Sequence, residues 1–337
     1  MVGGAVWGWV LILLNLVYIA ICIMKKQYST EAMLHYVCEE IKFPLFERID
    51  ATRDEHPKFH PHIYFIGRTP KITFDSYESK GDIYHFTFLF HSESGPQKQV
   101  FGWDSNGEAN ELHIKKNYDG SILYLNVNGG TLEISAFDFI VMMVGGSDIV
   151  FPFEVLYIGK AYGKNGEKCA FDRLNNHEKL IEILKENSPL KHFETRVALL
   201  EFKNYSLWFS EPKTVNRATA TPAEEESHLD KLSRNLPENA VVSLIESALI
   251  SVIKPKYNQN LKGDFPQEKH KSYKSITSSD YYSFLIELNI IGSGFELFSE
   301  HVNNQQVVNV RSKIRADASG VPFLEPVWID ENYTSKL

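Results

Sequence analysis

Cysteine is scarce in this chain, net positive charge is absent, and only one stretch of sequence is long and apolar. Three cysteines in 337 residues, Cys22, Cys38 and Cys169, leave an odd thiol in any pairing. That excludes a disulfide-built scaffold and suits a reducing compartment. Neither Cys22, in an apolar run, nor Cys169 has the His or Cys neighbours that a zinc site needs. The formal net charge of -8 gives no global basic field to draw the molecule to nucleic acid. A polyanion must therefore be met by a local patch. Between Ser251 and Ser275, Lys254, Lys256, Lys262, Lys269, Lys271 and Lys274 face only Asp264 and Glu268. This segment serves a phosphate track as well as it serves a solvated surface.

What is present is globular. With 43% hydrophobic and 23% charged residues the chain has room for two modest domains. Its 22 Phe and 16 Tyr argue for well-filled cores with strand content. The apolar run Ala5 to Met24 is relieved only by Gly8 and Asn15. At ~1.5 Å per residue it spans a hydrocarbon core of roughly 30 Å. Trp7, Trp9 and Tyr18 suit the interfaces, and Lys25 and Lys26 follow directly. Residues 1–26 are expected to form a single-pass anchor in the inner membrane, with the C-terminal body cytoplasmic. The lysines on the wrong side and the lack of a small-x-small site count against a cleaved signal.

Behind the anchor, residues 27–61 read as a helix and linker. Thr30 is a cap, and Met33, Leu34, Val37 and Ile41 recur at helical spacing before Pro44. From His62 the period becomes two: Ile63–Ile66, Ile72–Phe74, Ile83–Phe90, Val100–Trp103, Leu112–Ile114 and Ile122–Val127 predict strands separated by turn residues. Residues 62–145 are expected to be a separate β-rich domain, whose exposed strands suit a protein partner or nucleic acid. His56, His60 and His62 alternate with prolines in a loop, without an acidic or thiol partner to complete a metal set.

Three clusters further on carry chemistry. Tyr157-Ile158-Gly159-Lys160 reads as a strand ending at a glycine. Next, a helix is expected from Glu167 through Leu184. Leu174, His177, Ile181 and Leu184 trace one face of it, which places Arg173 and His177 on one side a turn apart. Finally Val241, Leu244, Ile245, Ala248, Leu249, Val252 and Ile253 give helical periodicity. Glu246 sits among Val242, Leu249, Ile250 and Ile253, so its carboxylate is partly buried and needs a metal, a cation or donors. Arg173 or Arg196 would serve as a structural partner. Pro255 stops this helix and Asn258 follows.

Taken together the clusters resemble the GIY-YIG nuclease superfamily, which includes intron-homing endonucleases, some restriction enzymes and an excision-repair incision subunit. The resemblance covers roughly residues 150–262, within a nuclease-like domain over 150–270, and implies an α+β fold: a small antiparallel three-stranded sheet with flanking helices. Thr195–Phe202 supplies its third strand, residues 206–235 an inserted loop, and 271–337 a C-terminal extension. It implies a metal-dependent endonuclease in which Glu246 holds Mg2+ (or Mn2+) and Arg173 faces the charge developing on phosphorus. Tyr157 or His177 would position or deprotonate the attacking water, with Lys160 or Arg173 lowering the tyrosine pKa. Lys160, Asn258, Lys254 and Lys256 are the expected substrate contacts, with DNA preferred over RNA. A nuclease tethered at the inner membrane would suit antiviral defence against incoming phage DNA. The family's first motif should bring a second tyrosine about ten residues before Tyr157, yet Ser147 to Phe153 contains none. Either Tyr157 works alone, or Tyr162 substitutes, or the domain is a catalytically inactive, membrane-tethered nucleic-acid-binding module.

Overall fold

Two apolar periods compete in Thr30–Lys42, and the period of two prevails. Thr30, Ala32, Leu34, Tyr36 and Cys38 are buried at alternate positions, and the segment is a strand, β1, instead of the expected helix. The physical reason lies in its partners. β1 is hydrogen-bonded on both sides, so tertiary pairing overrides a local helical pattern. The computed structural model describes residues 27–106, 112–127, 129–143, 149–175, 177–210, 218–258, 274–316, 322–324 and 328–329. The apolar run 5–24, with Lys25 and Lys26, lies outside these residues, as do Lys262, Lys269 and Lys271 of the basic segment.

After β1 come helix α1 (Ile49–Glu55) and strand β2 (Ile63–Pro70). Strands β3 (Ile72–Lys80), β4 (Ile83–Phe90) and β5 (Gln97–Asp104) form one three-stranded antiparallel sheet. β6 (Leu112–Lys116), β7 (Ile122–Val127) and β8 (Gly130–Ser135) form another, closed by helix α2 (Ala136–Met143). The chain then returns as β9 (Phe151–Lys160), followed by short helices α3 (Ala170–Leu174) and α4 (Glu178–Asn187). Strands β10 (Phe193–Asn204) and β11 (Leu207–Ser210) precede helices α5 (Pro222–Ser233), α6 (Glu238–Ile253) and α7 (Lys274–Thr277). Strands β12 (Ser283–Asn289), β13 (Phe295–Phe298), β14 (Val307–Ala316), β15 (Pro322–Leu324) and β16 (Trp328–Ile329) complete the order.

The fold is mixed α+β. Its main sheet has ten strands in the order β13-β9-β2-β10-β1-β12-β14-β15, with β11 on β1 and β16 on β14. At its centre β9, β2 and β10 run antiparallel. β2 therefore belongs to the main sheet and not to a β-rich domain over 62–145. What lies between β2 and β9 is an insertion of two small sheets. It packs on the main sheet through aromatic contacts such as Phe137 on Phe151, at 4.6 Å between centroids.

Three further expectations are revised. Residues 206–235 hold β11 and α5 as well as connecting chain, so they are not simply a loop. Residues 271–337 are not an appendage, because β12 pairs in parallel with β1 and antiparallel with β14. The region 167–184 breaks into α3 and α4, since His177 has extended backbone angles (φ -96°, ψ 111°) and caps α4.

The two faces of the sheet bury different helices. Tyr64, Ile66, Leu156, Val197 and Leu199 pack under α1, α3 and α4 through Ile49, Phe171, Leu174, Leu180 and Ile183. Ile63, Phe65, Ile158, Ala198 and Leu200 share the opposite core with α6 and the insertion. α6 buries side chains all round, as its nearly continuous apolar composition requires.

Candidate active site

The register of β2 and β9 sets the geometry. Tyr64 lies opposite Gly159, and Ile66 opposite Tyr157. Directly opposed residues share a face, so Tyr64 and Tyr157 stand diagonally on one side of the sheet. Their ring centroids are 6.3 Å apart. His177 closes the triangle at 5.6 Å from Tyr64 and 5.1 Å from Tyr157, edge-on to both. Gly159 is needed here for close approach. A Cβ at that position would lie 2.5 Å from the Tyr64 hydroxyl and 2.8 Å from the Tyr157 ring.

Polar interactions run through the same triangle. Arg173, exposed on α3, is near enough to act on the Tyr64 hydroxyl electrostatically, and Tyr64 acts in turn on Tyr157. Burial raises the pKa of Tyr64, and Arg173 opposes that rise. Tyr157 is also pushed up, first by burial and then by the charge of Glu246, with Arg173 and Tyr64 pulling the other way. The sequence-based expectation of a lowered tyrosine pKa is therefore reversed in the free protein.

His177 occupies a different position from the one expected. It is 4% exposed, and its Nδ1 accepts the Leu180 backbone N–H at 3.1 Å. Burial, assisted by the Arg173 charge, lowers its pKa to about 4. The ring is neutral at pH 7 with its proton on Nε2, the tautomer inferred from the Leu180 bond. Nδ1 is spent on the helix cap, so His177 braces the two tyrosines and does not deprotonate water. The expected apolar face also shifts, because Ile181 is exposed while Leu180 and Ile183 are buried.

Glu246 lies on α6, and its side chain is 12% exposed. Its partner is Lys160, whose Nζ lies 2.7 Å from Oε2 and also donates to Ser243 Oγ at 3.0 Å. Burial raises the Glu246 pKa and Lys160 opposes it. Neither arginine considered from sequence is the ion-pair partner. Arg196 is fully buried beside Glu194 at 2.9 Å and over the ring of Phe137 at 4.3 Å.

The turn after α6 fastens this helix to the open edge of β9. Lys254 adopts left-handed angles (φ 50°, ψ 55°) and ends the helix before Pro255. Tyr257 N donates to Leu156 O at 2.9 Å. The Asn258 side chain accepts from Ile158 N and donates to Ile158 O, both at 2.8 Å. Asn258 is thus a clamp with both ends of its amide engaged, and not the substrate contact expected. Lys254 is exposed, and Lys256 lies 3.1 Å from Glu186. Tyr162 turns away from the tyrosine pair and donates to Glu238 at 3.0 Å.

Tyr64 is the residue that sequence reasoning missed. A tyrosine was sought about ten residues before Tyr157, whereas the one that stands beside it is Tyr64, separated from it in sequence by β3 to α2. The usable signal was Ile63-Tyr64 at the start of the first strong strand after the linker. Among the described residues, no group of three or more His, Cys, Asp or Glu is placed to hold a metal ion. The donor set at Glu246 is a single hard carboxylate oxygen donor beside a lysine. That fits Mg2+, which keeps most of its waters and is commonly held by one or two carboxylates together with substrate phosphate. No family model, curated protein or solved structure matches the chain.

Proposed function

We propose that the protein is a metal-dependent endonuclease of GIY-YIG type, held at a membrane by residues 5–24, that hydrolyses phosphodiester bonds, with DNA favoured as substrate. The single observation that carries this reading is Tyr64: a second tyrosine stands against Tyr157, backed by His177 and faced by Arg173. In this reading Glu246 is the residue that would hold Mg2+ or Mn2+, which when bound supplies Lewis-acid stabilisation of phosphate charge.

The chain's own groups have separable tasks. The Tyr157 hydroxyl, kept protonated by its raised pKa, orients the attacking water; as the bond from phosphorus to the leaving oxygen breaks, the water's proton passes by way of a phosphate oxygen to that leaving oxygen. The Arg173 guanidinium and the Tyr64 hydroxyl face the phosphate oxygens as charge builds on them. Lys160 holds the Glu246 carboxylate in place and supplies a second cation next to the phosphate. A role against incoming phage DNA follows from the tether and is proposed with it.

The test is cleavage of supercoiled plasmid by the full chain in detergent, with Mg2+ or with a chelator. Metal-dependent nicking is expected, and Glu246→Ala should reduce it by at least about 10³-fold. Undiminished cleavage by Glu246→Ala would sink the site assignment. A rival reading, an inactive nucleic-acid-binding module, is favoured by the 2.7 Å ion pair that already occupies Glu246. Plasmid retained without cleavage under every metal condition would select it.

A further inference from the structure

Tyr205, Leu207, Trp208 and Phe209 are each more than two-fifths exposed, within one short turn and strand. All four residues of β11 are exposed, so large apolar side chains point outward on both faces of the ribbon. An edge strand of this kind invites association unless something covers it. Its position along the chain indicates the cover. β11 pairs with the very start of β1: Thr30 with Ser210, Glu31 with Phe209, Ala32 with Trp208 and Met33 with Leu207. The apolar run that ends at Met24, followed by Lys25 and Lys26, therefore stops only a few residues from Trp208 and Phe209.

The start of β1 is held by α5. Glu225 of α5 accepts from the backbone N–H of Ser29 at 3.0 Å and of Thr30 at 3.2 Å, and from the Ser29 hydroxyl. His228 hydrogen-bonds to Thr30 O at 2.8 Å, and the Tyr28 ring stacks on it at 3.8 Å. Ala220 N donates to Gln27 O at 2.9 Å. Residues 27–30, pinned in this way beside β11, come three residues in sequence after the point where the apolar run ends. In sequence, Lys25 and Lys26 follow that point, and Lys213 and Arg217, with Glu211, follow β11. Basic residues next to Trp and Tyr are the side-chain chemistry of a phospholipid interface.

We infer that the Tyr205–Phe209 segment, where β11 continues the line of β10 along β1, is a membrane-contact surface. Trp208, Phe209, Leu207 and Tyr205 enter the boundary between headgroups and acyl chains of the bilayer that holds residues 5–24. This surface rests on the anchor reading, and it adds a second point of attachment that fixes the orientation of the body against the membrane.

The test uses the full chain reconstituted in vesicles of phosphatidylethanolamine and phosphatidylglycerol. The emission lost on Trp208→Phe isolates that one indole from the other tryptophans. Lipids brominated near the headgroup should quench this component, and the vesicles should shield it from aqueous acrylamide relative to detergent. Acrylamide quenching equal to that in detergent, with the chain still resistant to alkaline carbonate extraction, overturns the contact-surface proposal and leaves the anchor standing. Shielding without lipid quenching overturns it in favour of the apolar run folded back onto β11. Shielding that appears only at high protein-to-lipid ratio overturns it in favour of a second copy. Release of the chain by carbonate defeats the anchor reading and the contact surface with it.

Discussion

Removing the Tyr64 hydroxyl while keeping its ring is the cleanest perturbation of the site. Tyr64→Phe leaves the contacts with Tyr157 and His177 in place and deletes the group that Arg173 meets. The expected outcome is a melting midpoint equivalent to within about 1 kcal/mol, with plasmid cleavage lowered about 10²- to 10³-fold. Equal cleavage by the two proteins would remove Tyr64 from the mechanism. His177 gives a pH prediction whose sign follows from burial. Its folded pKa of about 4 is below the ordinary ~6.5, so between those values the unfolded chain binds more protons. Its contribution to stability is fully present above about pH 6.5 and is lost as pH falls toward 4, by about 3 kcal/mol at most. Melting curves of the parent and His177→Gln between pH 4 and 7 should converge as the medium is acidified. A constant separation would show that the imidazole is not held neutral.

Among the elements, the turn after α6 has the most mechanical consequence. Asn258→Ala leaves the buried Ile158 N–H and C=O without their partners. At about 1–3 kcal/mol for each orphaned group the loss is expected to be roughly 2–6 kcal/mol, read as a drop in the denaturant midpoint. Cleavage should fall too, because the same turn sets how α6 carries Glu246 against β9. α6 was legible in the sequence because an apolar helix with one embedded carboxylate has few other uses. The third strand was legible as well, and β10 spans the expected Thr195–Phe202. β1 was not: its helical spacing and its alternation are both present in Thr30–Lys42, and only the partners β10, β11 and β12 select between them. The division between α3 and α4 was hidden for a similar reason, since a histidine accepting a backbone N–H at a helix start leaves no mark in hydrophobic periodicity.

For the whole molecule, the main sheet is assembled from segments distant in sequence. β2 pairs across the insertion with β9, and β12 returns from near the C-terminus to lie beside β1. The second tyrosine was concealed by this arrangement, because proximity in the chain is a poor guide once two small sheets are inserted between neighbouring strands. The same topology makes residues 283–316 part of the core, with Phe284, Ile286, Leu288, Val308 and Val310 buried. A chain ending before Ser283 is expected to lose cooperative thermal unfolding, as monitored by circular dichroism. A truncated chain that melts sharply near the parent midpoint would show that the sheet closes without β12 and β14.

β1 has one further consequence. Lys42 pairs with Leu199, and Leu199 with Tyr64, so the tyrosine pair stands in the row at the far end of the strand that begins at Thr30. Thirteen strand residues at ~3.3 Å each make a strut of roughly 40 Å at most, slightly shortened by the irregularity between Cys38 and Glu40. Under the proposed anchor, the strut would set the reach of the proposed nuclease. Nucleic acid passing within that distance of the membrane would meet a high local concentration of the site, whereas material deeper in the cell would not. Such an arrangement would select a substrate by where it is, without reading what it encodes.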